Sequence, residues 1–263
     1  MGAKFMVNQR ITELLSKAKD PERVFPATDL YNEGWMLRLV IDWFSRNPHL
    51  DCDIQFLEGS RWYSEALLPS QFLTRQRGDK LAESWTHADG VIGHFEIGKN
   101  ADGDLTLNEG ATQLVVIEAK MFSKLSPGVT NAKYFNQAAR NVACIAEIAN
   151  RAGIGPASFE DIAFYVVAPQ IRIDEGVFST EMSKDGIREI VRRRVLEYED
   201  ETKVQWFEEW FLPTLESIGS RCITWEELLA VVSEHSEAEG NELSDFYAKC
   251  IEFNKFAAQR YTL

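Results

Sequence analysis

The chain has 263 residues, 45% of them hydrophobic and 11% aromatic, which suffices for a sizeable core and fits one elaborated domain better than two equal ones. A net charge of −13 opposes simple attraction to a polyanion, although a local basic strip or bound divalent cations can still create an attractive groove. Cys52, Cys144, Cys222 and Cys250 are scattered without a CxxC pair, which argues against a zinc knuckle or a disulfide framework and for buried reduced thiols. The opening MGAKFMVNQRITELLSKAKD has no continuous apolar signal region, and no later apolar run is long enough to span a bilayer. A cytoplasmic chain without membrane association is the expectation.

Residues 1–27 read as a helical extension. A helix is expected over residues 30–46, with Thr28 or Asp29 as its cap, Leu37, Val40, Ile41 and Phe44 at helical spacing, and Pro48 limiting its end. Strands are expected at 53–57, 61–68, 89–97 and 113–122, where β-formers are bounded by turn residues such as Gly59 and Pro69. A helix over 132–151 follows, with Phe135, Ala138, Val142, Ile145 and Ala149 on one face, and then the apolar run Ile162 to Ala168. Strand, helix, strand is a parallel crossover signature, and the runs Leu114 to Ile117 and Phe164 to Val167 are apolar on both faces, as interior strands require. Beyond residue 180 strand-like runs cease. The tail reads as about four helices, one opened by a capping box at Thr224 and Glu227. The division is therefore an α/β core over 28–179 and a helical appendage over 180–263 packed on it.

Chemistry concentrates at Glu118-Ala119-Lys120, where an apolar strand ends in two opposite charges. Side chains two apart share a strand face, so Glu118 and Lys120 project together while Ala119 points into packing. Alone, such a pair is ordinary sheet-edge ion-pair material. Asp89 opens a strand expected to form a hairpin with the Glu118 strand, and two carboxylates on adjacent strands can share a divalent cation. An Asp89-Gly90 turn is the competing explanation. Glu33 lies four residues before Leu37, on the apolar side of its helix, where an acid needs a cation, a basic partner or a raised pKa; equally, acids favour a first helical turn. Lys133, Gln137, Arg140 and Asn141 share one helical side, as phosphate-holding donors or as a solvated face.

The order Glu33, Asp89, Glu118-Ala119-Lys120 and Gln137, together with the strand Trp62 to Pro69, resembles the PD-(D/E)XK phosphodiesterase superfamily over roughly residues 28–169. The resemblance implies a restriction-endonuclease-like core, a central mixed sheet flanked by helices in αβββαβ order. It also implies magnesium, with manganese as substitute, held by Asp89, Glu118, the carbonyl of Ala119 and, in a second or outer position, Glu33. In that scheme Lys120 orients or deprotonates the attacking water, Gln137 positions substrate or Lys120, and Lys133, Arg140 and Asn141 contact the substrate. Hydrolysis of a nucleic acid, DNA favoured, in defence or repair would follow. Ala88 stands where the family has Pro, the gap from Asp89 to Glu118 is long because residues 99–104 form an extended hairpin tip, and Asn141 stands where one nuclease branch carries Tyr.

Two other functions remain in view: a non-catalytic scaffold that binds a protein partner through its acidic helical tail, and a phosphodiesterase acting on a small nucleotide. Residues 98–109 imitate a calcium loop, but Gly98 holds the first ligand position and a hairpin turn is preferred. His49, His87, His94 and His235 lack paired metal spacing. Arg192, Arg193 and Arg194 fan over different helix faces and are expected to pair with Glu197 and Glu199. No phosphate loop, nucleophile elbow or dinucleotide fingerprint is present.

Overall fold

The computed structural model describes residues 7–21, 23–74, 78–98 and 103–259; of the expected hairpin tip at 99–104, residues 99–102 lie outside them. A short helix α1 (Val7–Ser16) precedes helix α2 (Glu33–Arg46). The cap of α2 is Asn32, whose side chain accepts the Trp35 amide at 2.9 Å; Thr28 and Asp29 instead belong to a single 3-10 turn, Ala27–Asp29. Met36, Leu37, Val40, Ile41, Trp43 and Phe44 form the buried face of α2.

A five-stranded mixed sheet receives that face. Its strands are β1 (Arg61–Leu68), β2 (Thr86–Gly93), β5 (Gln113–Ala119), β6 (Asp161–Ala168) and β7 (Gly219–Thr224), in that spatial order. Pairing is antiparallel from β1 to β5 and parallel from β5 to β7. A two-stranded ribbon, β3 (Phe95–Ile97) with β4 (Leu105–Leu107), stands apart. Helix α3 (Gln137–Ala152) makes the crossover from β5 to β6 and buries Ala138, Val142, Ile145 and Ala149. One apolar cluster lies under α3 and the tail helices; a second lies between the sheet, α2 and the last helices. Every residue of β5 is buried, as expected of a strand covered on both faces.

Several boundaries differ from the sequence expectation for local reasons. Residues 53–57 form no strand: the Gln113 side chain takes their backbone groups, accepting from the Leu57 amide at 3.2 Å and donating to the Gln55 carbonyl at 2.9 Å. The strand expected at 89–97 begins three residues earlier and breaks at His94. At the break Gly93 has a φ of +150°, and a Cβ there would stand 2.1 Å from the Gln113 carbonyl oxygen. His94 Nδ1 then accepts the amides of Thr112 and Gln113 at 3.1 and 3.2 Å, which fixes it as a structural residue. Helix α3 starts at Gln137, with Asn136 as its cap, so 132–136 are outside it.

Helix α4 (Gln170–Asp174) follows β6, and the tail holds α5 (Lys184–Leu196), α6 (Glu201–Trp206), α7 (Leu212–Ser217), α8 (Trp225–His235) and α9 (Glu237–Gln259), with a π-helical turn at Phe207–Phe211. The expectation that strands cease after residue 180 fails at β7, which completes the central sheet. Its polar composition, GSRCIT, suits an edge strand with one side in solvent. The capping box at Thr224 and Glu227 is present. Arg194 and Lys203, both fully buried, donate to the carbonyls of Leu81 and Gln71 and so hold the segment leading into β2. Of the Arg192 to Arg194 run, Arg193 and Arg194 pair with Glu197 and Arg192 with Glu189. No helix among the described residues is long and apolar enough to cross a membrane.

Candidate active site

The β2–β5 ladder runs from the Gly93–Leu114 pair to the Gly90–Ile117 pair and stops there. Beyond it the two strands part, and the next residues along them are Asp89 and Glu118. Asp89 Oδ2 accepts the Ala119 amide at 2.8 Å, so a side-chain oxygen stands where the ladder would have supplied a backbone carbonyl. Asp89-Gly90 is thus part of a strand and not a turn. Gly90 leaves room for α2, which lies directly over it: a Cβ there would come within 2.8 Å of Ile41 Cδ1 and 3.0 Å of Leu37 Cδ2. Opposite Asp89 on β1, between the Ser64–Gly90 and Ala66–Ala88 pairs, Glu65 adopts a φ of +60°, a conformation costing an L-residue roughly 1–2 kcal/mol. Its exposed carboxylate reaches Arg38 of α2 at 3.3 Å.

Glu118 is 1% exposed. Its Oε1 accepts from Lys120 Nζ and from Gln137 Nε2, each at 2.5 Å. Its Oε2 is buried without a donor, and Asp89 lies within hydrogen-bonding reach of the carboxyl. Burial pushes the Glu118 carboxyl up to about 8; the charge of Asp89 adds to the rise and Lys120 opposes it. Burial and Asp89 thus favour the neutral form of the acid, against Lys120.

Gln137 joins the group because α3 begins there. Its amide nitrogen donates to the Ser126 carbonyl at 2.9 Å and its Oε1 accepts the Ser126 amide at 3.0 Å, which leaves Nε2 aimed at Glu118. Lys120, the residue after β5, donates its amide to Val167 at 2.8 Å and turns its side chain back along the Glu118 face.

The other expected site residues lie elsewhere. Glu33 is half-buried at the start of α2, where its charge bears on Cys250 of α9; no hydrogen bond or ion pair among the described residues joins it to Asp89 or Glu118. The expected donor face does not form: the late start of α3 removes Lys133, and Asn141 faces the core. Lys133 is exposed in the turn before the helix, Arg140 turns its charge toward Glu83 and Cys144, and Asn141 is fully buried with both amide atoms unpartnered. Among the described residues no three or more His, Cys, Asp or Glu gather as a metal-holding group, so a cation at Asp89 and Glu118 would depend on two carboxylates, main-chain oxygen and water.

Two contributors had no motif to mark them. Ser126 lies in a Ser-Pro-Gly loop, and Trp225, fully buried at the start of α8, donates its indole N–H to the Lys120 carbonyl at 3.0 Å. Only the Thr224 capping signal just before Trp225 hinted that this residue opens a fixed helix. Comparison of the chain with protein-family models, curated proteins and solved structures finds no match.

Proposed function

We propose that the chain is a divalent-cation-dependent nuclease of the PD-(D/E)XK type, hydrolysing phosphodiester bonds of nucleic acid, DNA favoured, with magnesium as cofactor and manganese as substitute. The observation that carries this reading is the meeting of Asp89 with Glu118 at the parting of β2 and β5, with Lys120 and Gln137 on one Glu118 oxygen. The donorless Glu118 Oε2 beside a second acid is the type of hard-oxygen position that a divalent cation fills in exchange for a proton. When bound, the cation would polarise phosphate and lower the pKa of a coordinated water.

Asp89 and Glu118 would supply the two charged ligands. Ala119, whose N–H turns toward β2, presents its carbonyl on that same side, because a strand residue's N–H and C=O point to one neighbour. Lys120 orients or deprotonates the attacking water and offsets charge on the phosphate. Gln137 keeps Glu118 oriented. Glu33, Lys133, Arg140 and Asn141, which lie elsewhere, have no role in this reading. A cation also answers the net charge of −13, since it brings the attraction that the surface lacks.

The scaffold reading draws on the small number of ligands. One experiment separates the readings: titration with magnesium or manganese in the presence of labelled single- and double-stranded DNA and RNA, with cyclic dinucleotides as a small-molecule arm. Cation-dependent cleavage that falls at least about 100-fold in Lys120→Ala, with folding unchanged, is expected. Absence of both cation binding and cleavage overturns the proposal.

A further inference from the structure

We infer that Trp225 is a positioning residue for Lys120, supplying a hydrogen bond that Pro169 cannot; the inference rests on the nuclease reading above. The β5–β6 register pairs Glu118 with Val166 and Ala119 with Val167, and the Lys120 amide donates to the Val167 carbonyl at 2.8 Å. Continued by one step, a parallel ladder requires the N–H of residue 169 to donate to the Lys120 carbonyl. Residue 169 is proline and has no N–H. The indole Nε1 of Trp225 donates to that carbonyl at 3.0 Å instead.

The donor is held on all sides. Trp225 is fully buried and shares an apolar cluster with Ala119, Met121 and Val167. Thr224 before it pairs with Ala168, and the capping box fixes the start of α8: Thr224 Oγ1 accepts the Glu227 amide and Glu227 Oε2 the Thr224 amide, both at 2.9 Å. Both backbone groups of Lys120 are therefore pinned where the chain leaves the sheet. Its side chain can then run back to Glu118 Oε1 without the strand end swinging. Loss of the indole N–H leaves the Lys120 carbonyl without that donor and frees the peptide planes on which Lys120 and the Ala119 carbonyl ride.

Trp225→Phe keeps an aromatic ring in the site and removes the donor. With manganese and labelled DNA the expected result is a fall in kcat of about 10- to 100-fold with KM unchanged, the scale of a displacement near 1 Å at a reacting group. Acylation of Lys120 by a limiting reagent, read by mass spectrometry against exposed Lys124, should rise several-fold. Adding Pro169→Ala restores a backbone donor in register and should recover most of both effects, which repair of a mere packing defect would not do. Benzothienylalanine at position 225 keeps the bicyclic shape and removes only the N–H, so it gives the same readout where Trp225→Phe folds poorly. Wild-type kcat and Lys120 labelling in the donorless variants, or no recovery with Pro169→Ala, overturns the inference while leaving the nuclease reading intact. A wild-type protein with neither manganese binding nor cleavage overturns that reading, and the Lys120 labelling then still decides the role of Trp225.

Discussion

Glu118→Gln should make the cation-free protein more stable, and the gain should appear only as pH rises. Glu118 is buried with its carboxyl pushed from 4.5 up to about 8, so its neutral form is the one the fold prefers. Such a group contributes its full stability below pH 4.5, and that contribution is lost as pH climbs to 8. A rise of that size is an upper bound of roughly 5 kcal/mol. Glutamine keeps an oxygen for Lys120 and Gln137 and turns an amide donor toward Asp89, but it deprives the Lys120 ammonium of an ionised partner only 2.5 Å away. A net gain of about 1–3 kcal/mol at pH 8 is expected after that loss and local relaxation. In a chain of this size this is a rise of several degrees in Tm. Urea unfolding with a chelator present at pH 5 and pH 8 measures it. No gain at pH 8, or an equal gain at both pH values, refutes the reasoning. In the same variant the proposed nuclease activity should vanish, as a site whose local strain is relieved gains stability at the expense of function.

Two further outcomes are expected. Under the proposed reading, magnesium displaces the Glu118 proton, so affinity should strengthen up to about tenfold per pH unit between 6 and 8 and level off above, where the carboxyl is already ionised. Calorimetry in buffers of different ionisation enthalpy should register close to one proton released at pH 6.5, and pH-independent affinity would contradict the assignment. Gly90→Ala should cost about 1–3 kcal/mol by overpacking against Ile41 and Leu37, and Ile41→Val in the same chain should recover part of it, as read by urea midpoints. An unaffected midpoint in the single variant would mean that α2 is free to move off β2.

The acid, lysine and glutamine of the site were legible because each rests on a local rule. Period-two alternation puts Glu118 and Lys120 on one strand face, apolar runs mark β5 and β6, and the crossover between them delivers Gln137. What escaped were features governed by distant chain. Nothing near residue 55 says that the Gln113 side chain will take its backbone bonds, and nothing in GSRCIT distinguishes an exposed edge strand from a loop. The donor face on α3 failed for two reasons: a five-residue boundary shift, with Asn136 as cap, puts Lys133 outside the helix, and Asn141, inside it, faces the core. Helical periodicity and the first-turn position of Glu33 fix its side of α2 but cannot say that α9 will be its neighbour.

The late entry of β7 has a consequence for biosynthesis. Asp89, Glu118 and Lys120 are synthesised long before β7 and the indole that donates to the Lys120 carbonyl. A nascent polypeptide short of residue 225 already holds the residues whose side chains meet at Glu118, but lacks the indole that donates to the Lys120 carbonyl.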